Sequence, residues 1–115
     1  MGDCIFCRIA TRELPADVIH VSDNIVAFRD IEPKAPTHIL LIPKEHIESM
    51  RELKDSHGEM LAELYETAAH LAKAEGVDRS GYRVVTNVGP DSGQTVFHLH
   101  FHLLGGEPLG GMVTP

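Results

Sequence analysis

The sequence lacks any apolar run close to the roughly 20 residues that a helix needs to cross a bilayer. Its first residues, Met1-Gly2-Asp3-Cys4, also lack the basic segment followed by an apolar stretch that is typical of a secretory signal. These two absences argue against a membrane-spanning protein and against a secreted one. We therefore expect a cytoplasmic protein.

Positive charge is scarce as well. There are 10 Lys and Arg residues against 17 Asp and Glu residues, which leaves a formal net charge of −7. No Lys/Arg cluster supplies the field that extended contact with a nucleic-acid backbone or an acidic membrane surface requires. The sequence therefore predicts no nucleic-acid partner and no membrane partner. A small anion can still bind to backbone N–H groups and histidines.

Cysteine is limited to two residues, Cys4 and Cys7, which are separated only by Ile5 and Phe6. In a reducing compartment this spacing indicates metal or redox chemistry more than a structural disulfide. The alternative is a pair of reduced, buried thiols.

The length of 115 residues suits a single domain, 1–115, with one modest core. The predicted elements are a short helix over 4–12, a hairpin of strands at about 17–21 and 25–29, a central strand over 37–42, a short helix over 47–53, a long amphipathic helix from a capping box at 56–59 to Gly76, strands at 82–87 and 97–104, and a flexible tail over about 105–115. His57 and His70 are interpreted as surface residues of the long helix. This order predicts an α+β fold, a mainly antiparallel sheet of about five strands with one long helix and a short N-terminal helix.

Three histidines alternate with apolar residues in the last predicted strand. Period-two spacing places His98, His100 and His102 on one face, roughly 6.6 Å apart, while the residues between them point into the core. Imidazole is a nucleophile, an acid/base group near neutral pH and a metal ligand. Three functions therefore remain open: a catalytic zinc site, a histidine that attacks an electrophile such as phosphorus, and a structural metal site or passive ligand pocket.

The loop before this strand favours the second function. Gly93-Gln94-Thr95 brings backbone N–H groups and a hydroxyl next to the histidines, and Asn87 adds an amide from the preceding strand. Such donors suit the oxygens of a phosphate and the charge that develops during phosphoryl-type transfer.

The pattern His98-Leu99-His100-Phe101-His102-Leu103-Leu104 resembles the signature of the histidine triad (HIT) superfamily, three histidines that alternate with apolar residues. Further motifs resemble its Hint branch, the nucleoside phosphoramidases. They are Asp30-Ile31, Ala35-Pro36-Thr37-His38, Ile42-Pro43-Lys44-Glu45-His46-Ile47, Gly93-Gln94-Thr95-Val96 and Gly105-Gly106. The resemblance covers nearly the whole chain in the same order, and it implies a HIT-like fold.

The resemblance also implies a reaction and its residues. His100 matches the nucleophile that attacks the α-phosphorus of a purine nucleoside phosphoramidate or related nucleotide derivative, and the nucleotidyl-histidine is then hydrolysed. His102 matches a phosphate-contacting histidine, and His38 one that assists proton movement. The nucleotide-binding residues that it implies, besides these histidines, are Ile5, Phe6, Ile9, Phe28, Asp30, Ile31, Asn87, Gly93, Gln94 and Thr95. A dinucleotide polyphosphate hydrolase and a non-catalytic nucleotide-binding or scaffolding module are the alternatives.

Cys4, Cys7, His46 and His98 resemble the Cys₂His₂ zinc site of some triad proteins. Such a closed site is expected to be structural, because it leaves no position for water. The resemblance further implies a homodimer. Two features depart from the pattern: Thr95 stands where many relatives have serine, and the Trp-Pro-Pro segment of many Hint proteins is absent.

Overall fold

A computed structural model describes residues 4–112 of the chain. Its helices are α1 (Ile5–Ala10) and α2 (Gly58–Ala74), and its strands are β1 (Val18–Val21), β2 (Ile25–Arg29), β3 (Thr37–Pro43), β4 (Tyr82–Val85) and β5 (Phe101–Gly105). The strands form one sheet in the order β1-β2-β3-β5-β4, and every neighbouring pair is antiparallel. The predicted fold class is confirmed.

The two faces of the sheet have separate apolar layers. On one face, alternate residues of the strands, among them Ile39, Leu41 and Leu103, pack against α2. On the other, Leu40 and Ile42 pack with α1. All seven residues of β3 are buried, as its nearly continuous apolar sequence predicts for a central strand. The sheet is thus covered on both faces, and the short helix α1 covers the face on which the histidines lie.

The beginning of α2 differs from the prediction. The expected capping box at Ser56 does not form, and the helix begins at Gly58 after a 3₁₀ turn over Asp55–His57. The Lys54 N–H donates to His57 Nδ1 at 3.0 Å, and His57 Nε2 lies 3.5 Å from a Glu45 carboxylate oxygen. His57 is therefore partly buried and not a surface residue, because a loop distant in sequence supplies its partner.

Other boundaries also move. His70 is exposed, as predicted, and α2 ends before Gly76, whose φ of +76° supplies the predicted stop. Where a helix was expected over 47–53, the structure has only a 3₁₀ turn at Met50–Glu52. Within residues 4–112, no helix is long and apolar enough to cross a membrane.

The predicted tail begins too early. Gly105 is the buried last residue of β5, and Gly106 turns the chain with a φ of +99° where a Cβ would lie 2.8 Å from Pro36 Cβ. Farther on, the Arg83 guanidinium donates to the Gly110 carbonyl at 3.0 Å. The flexibility of the tail stays a prediction, and 113–115 lie outside the described residues.

The histidine strand is shorter than its alternating sequence predicts. β5 begins at Phe101, which pairs with Leu41. Continuing that register by two residues would place Leu99 opposite Pro43, which has no N–H to donate to a ladder. The Leu99 N–H donates instead to the Ile47 carbonyl. The alternation of faces nevertheless persists, since Leu99 and Phe101 remain in the core.

Candidate active site and metal centre

The backbone holds His100 as a neutral imidazole with one free nitrogen. This side chain is buried, and its Nδ1 lies 2.7 Å from the His98 carbonyl oxygen. A carbonyl only accepts, so Nδ1 carries the proton and Nε2 has a lone pair. Burial lowers the pKa of His100 below its usual value, and the ring of Phe6 packs edge-on at 5.1 Å. The arrangement suits a nucleophile that attacks through Nε2.

His38 and His102 form a hydrogen-bonded pair beside it. The Lys34 N–H donates to His38 Nδ1 at 2.9 Å, so the proton of His38 lies on Nε2, which faces His102 Nδ1 at 2.9 Å. His102 therefore carries its own proton on Nε2. Burial, reinforced by the nearby His100 and His38, lowers the pKa of His102 to about 4. The pair is neutral at physiological pH, with the direction of its hydrogen bonds set by one main-chain N–H.

Asp30 lies beside this pair. One of its carboxylate oxygens lies 3.4 Å from His38 Nε2, and the other accepts the Glu32 N–H at 2.8 Å. Asp30, His38, Asn87 and His102 line a cleft of about 250 Å³. We call Asp30, His38, His100 and His102 the reaction cluster. The structure thus brings together four residues that the sequence separates by up to 72 positions, from Asp30 to His102.

The glycine-rich loop has two different parts. Gln94 is buried, and its side chain joins the loop to the main chain at Glu48. Its amide oxygen accepts the Gly89 N–H at 3.0 Å, and its amide N–H groups donate to the carbonyls of Glu48 and Val96 at 3.0 and 3.1 Å. Gly93 and Thr95 are exposed. Thr95 lines a second cleft, with Cys4, Ile5 and Phe97 among its neighbours, and not the cleft of Asp30 and His102. Gln94 therefore shapes the loop.

The five apolar residues expected around a base also separate. Phe6, Ile9 and Phe28 are buried in the layer between α1 and the sheet. Ile5 and Ile31 are 46% and 91% exposed, so these two are the accessible members of the set. The three buried residues pack in the core layer next to the candidate site.

Cys4, Cys7, His46 and His98, which we call the metal cluster, meet at the start of α1. Cys4 Sγ lies 3.3 Å from His98 Nδ1, and Cys7 Sγ lies 3.2 Å from His46 Nδ1. All four candidate ligand atoms lie within 4.8 Å of one another. Ligands around a tetrahedral zinc, at 2.0–2.3 Å from the ion, are themselves roughly 3.5 Å apart. The spacing therefore fits such an ion.

The hydrogen bond behind His98 also fits a metal ligand. His98 Nε2 lies 2.8 Å from the Pro43 carbonyl oxygen, so Nε2 carries the proton and the lone pair of Nδ1 faces the thiols. Burial lowers the pKa of His98, which keeps it neutral. Burial and the adjacent Cys4 raise the pKa of the Cys7 thiol to about 11. A cation between the sulfurs and imidazoles would supply the charge that stabilises a thiolate there.

Asp30, His38 and His102 form a second group with metal-ligand spacing, within 4.8 Å of one another. This group does not fit a cation, because the Lys34 N–H faces His38 Nδ1 and so places the resting proton on Nε2. Binding through Nε2 would move that proton to Nδ1, where two donors would oppose each other.

The comparisons with known proteins agree with this geometry. The HIT domain family matches residues 11–109. The chain belongs to the HIT family. It is 43% identical over 111 residues to the purine nucleoside phosphoramidase of Escherichia coli strain K12, which covers 96% of this chain and 93% of that protein.

Solved HIT structures share the whole fold. A HIT family hydrolase from Legionella pneumophila is 49% identical, with a TM-score of 0.92 over 94% of this chain and 96% of that one. A HIT family hydrolase from Clostridium thermocellum is 42% identical, with a TM-score of 0.94 over 99% of each chain. The predicted resemblance to the HIT superfamily is confirmed.

Sequence reasoning predicts that a backbone carbonyl or His98 holds one nitrogen of His100, but it does not locate the main-chain groups that hold the other rings of this HIT domain. The Lys34 N–H and the carbonyls of Pro43 and His98 determine which nitrogen of each ring carries the proton. Every residue but proline has an N–H, and every residue has a carbonyl, so no residue type marks these positions. It also missed Thr86, whose hydroxyl donates to the His100 carbonyl at 2.8 Å. The one available signal was a hydroxyl directly after the apolar pair Val84-Val85.

Proposed function

We propose that this HIT protein hydrolyses purine nucleoside phosphoramidates, or related nucleotide derivatives, through a nucleotidyl-histidine on His100. The observation that carries the proposal is the 2.7 Å hydrogen bond from His100 Nδ1 to the His98 carbonyl, which leaves Nε2 free in a neutral ring. The 43% identity to a protein named as a purine nucleoside phosphoramidase supports the substrate class.

In the first step, the Nε2 lone pair of His100 attacks the α-phosphorus and the bond from phosphorus to the leaving nitrogen breaks. The electrons of that bond stay on the leaving amine, which takes the Nε2 proton that His102 first presents to a phosphate oxygen. The Nε2 proton of His38 moves to His102 Nδ1, and His38 Nδ1 takes a proton from solvent in exchange for its hydrogen bond from the Lys34 N–H. The ring of His100 becomes positively charged, and the His98 carbonyl stabilises that charge through Nδ1–H. His102 presents its Nε2–H to a phosphate oxygen.

In the second step, water attacks the phosphorus and the bond to Nε2 breaks. The electrons of this bond return to Nε2, and the proton of the water moves to His102 Nε2. The proton on His102 Nδ1 returns to His38 Nε2, and the Nδ1 proton of His38 returns to solvent, which restores both rings. The products are the nucleoside monophosphate and the regenerated neutral ring. Because burial lowers the pKa of His38 and His102, both rings are neutral before each step and are able to pass a proton on.

The remaining residues bind the nucleotide in this proposal. Asp30 accepts hydrogen bonds from the two ribose hydroxyls, for which a carboxylate has the acceptors. Asn87, Gly93 and Thr95 serve the phosphate side. Ile5 and Ile31 are accessible to a base, with Phe6, Ile9 and Phe28 packed behind the site.

The metal cluster is proposed to hold a structural zinc ion, bound by Cys4, Cys7, His46 and His98. Zinc would cross-link the start of α1 to the loops that carry the two imidazoles, and it would take no part in the reaction. A homodimer is also proposed. The exposed Tyr65 of α2 and Tyr82 of the edge strand β4 are apolar surface that a second copy would cover. A cytoplasmic location stays a prediction.

The decisive experiment traps the intermediate. The purified protein is mixed with adenosine 5′-phosphoramidate, quenched within one turnover and analysed by peptide mass spectrometry. We expect an adenylyl group on the peptide that contains His100, and we expect His100→Ala to lose the adduct and lower kcat by about 10⁴-fold or more. The matched control is His70→Ala, at an exposed position of α2 on the other face of the sheet from α1. This variant should keep the parental rate.

Two other outcomes would contradict the proposal. Turnover of a dinucleotide polyphosphate without turnover of any phosphoramidate would assign a different substrate class. Nucleotide binding by the parent with neither adduct nor turnover would indicate a binding or scaffolding module.

A further inference from the structure

The nucleophile lies on a segment that the sheet does not hold. His98, Leu99 and His100 precede β5, which begins at Phe101. On the β3 side the ladder ends where Leu41 pairs with Phe101, and on the β4 side it ends where Val85 pairs with His102. The main chain of His100 therefore needs other hydrogen bonds to fix it.

Four other hydrogen bonds hold the segment from His98 to His100 where the β-ladder is absent. The Leu99 N–H donates to the Ile47 carbonyl, and the His98 ring donates to the Pro43 carbonyl at 2.8 Å. The His100 ring donates to the His98 carbonyl. Thr86, the first residue after β4, completes the set, because its hydroxyl donates to the carbonyl of His100 itself at 2.8 Å.

We propose that Thr86 is a positioning residue for the reaction of His100. Its hydroxyl replaces the missing β4 partner and fixes the peptide plane that follows His100, and this plane determines where Nε2 stands relative to an incoming phosphorus. Threonine suits this task because its branched Cβ restricts χ1 and so holds the hydroxyl in one direction. The inference rests on the proposed function, and it adds a residue that belongs neither to the lining of the cleft of Asp30 and His102 nor to the metal cluster.

The competing interpretation is that the hydroxyl only satisfies a carbonyl in a partly buried position. Loss of the hydrogen bond would then lower the melting temperature and leave the rate per folded molecule unchanged. A positioning role predicts a large loss of kcat with little change in melting temperature, because displacement of a reacting atom by about 1 Å can cost up to 100-fold in rate.

The test compares Thr86→Val, which keeps the shape and removes the hydroxyl, with Thr86→Ser, which keeps the hydroxyl. The matched control is Thr67→Val, at a buried threonine of α2 remote from both clusters. For Thr86→Val we expect kcat on adenosine 5′-phosphoramidate to fall about 10-fold or more with KM changed less than about twofold. Thr86→Ser should recover most of kcat, and Thr67→Val should keep it.

A second readout does not depend on turnover. In protein labelled with ¹⁵N-histidine, exchange of the His100 Nδ1 proton with water should be about 10-fold faster in Thr86→Val than in the parent, because the ring is less firmly held against the His98 carbonyl. Thr67→Val should show the parental exchange rate. Thermal unfolding of every variant separates these local effects from global stability.

The outcomes distinguish the two proposals. A parental kcat and a parental exchange rate in Thr86→Val would overturn the role of Thr86 and leave the proposed function intact. If the parent forms no adenylyl adduct, the proposed function fails, and faster Nδ1 exchange in Thr86→Val would still show that Thr86 positions the ring. An equal loss of kcat in Thr67→Val would also count against Thr86.

Discussion

The metal cluster and the reaction cluster use the same side chain in opposite ways. In the metal cluster, the ring of His98 faces the Pro43 carbonyl, an acceptor, so its proton points backwards and its lone pair faces the thiols. In the reaction cluster, the ring of His38 faces the Lys34 N–H, a donor, so its proton points forwards to His102. The main-chain group behind each ring thus decides whether a lone pair or a proton faces the neighbouring side chains of its cluster.

The two clusters are also joined. The ring of His98 belongs to the metal cluster, while its carbonyl accepts the Nδ1 proton of His100 in the reaction cluster. Phe6, between the two cysteines of α1, packs edge-on against both rings, at 6.1 and 5.1 Å. A change in one cluster is therefore expected to reach the other weakly, through one residue and one packed ring, and the following predictions measure that separation.

Among the changes that test the separation of the two clusters, His38→Gln is expected to have the largest effect. Glutamine keeps an N–H for hydrogen bonding but cannot pass a proton on, so kcat should fall by about 100-fold or more. Zinc content by metal analysis should stay at the parental value, since His38 makes no contact with the metal cluster. A parental kcat would remove His38 from the proposed proton path, and loss of zinc would show that the two clusters are not separate.

The next effect is that of Cys7→Ser, which removes one thiolate from the metal cluster. We expect loss of bound zinc and a melting temperature lower by about 5 °C or more, because metal binding contributes to folding free energy. The loss of kcat at a temperature where the protein is folded should be smaller than in His38→Gln. The matched control is parent protein from which a chelator has removed the metal, and its melting temperature should equal that of Cys7→Ser. Unchanged zinc content in Cys7→Ser would contradict the assignment of Cys7 as a ligand.

The smallest expected effect concerns the pH dependence of the free energy of unfolding. The pKa of His102 is lowered to about 4 by burial and by the neighbouring histidines, whereas an unfolded chain has a histidine pKa near 6.5. As the pH falls from about 6.5 towards 4, the unfolded state takes up a proton that folded His102 does not, so the free energy of unfolding should decrease over this window. Histidine NMR titration, with the His102 signal assigned from its absence in His102→Gln, measures this pKa directly. A midpoint near 6.5 would show that the ring is not buried in solution.

The elements of the fold were predictable where hydrophobic pattern alone decides them. The buried run of β3, the 3.6-residue period of α2 and the alternation around Phe101 each report burial on one or both faces, and burial is what residue type encodes most directly. The predictions failed where a distant partner decides. The beginning of β5 is such a case, because the register would bring Leu99 opposite Pro43 from another strand.

The candidate site divides in the same way. The three alternating histidines and the Cys4–Cys7 pair stood out by residue type and spacing, whereas His46 was assigned only from the family resemblance. The structure brings the polar atoms of both clusters to distances at which they interact. Gln94 was grouped with the nucleotide contacts, but its amide is taken by the carbonyls of Glu48 and Val96. The Glu48 carbonyl lies 46 positions away, and nothing in the local sequence connects it to Gln94.

What the amino-acid sequence determined by itself is the set of chemical groups: three alternating imidazoles, two thiols three positions apart, and the apolar faces that bury them. What only the tertiary structure decided is the use of each group, because a hydrogen bond to one carbonyl or one N–H selects which ring nitrogen carries the proton. Main-chain groups have no identity in a sequence, since nearly every residue carries the same pair. Only the folded chain assigns a donor to His38 and an acceptor to His98.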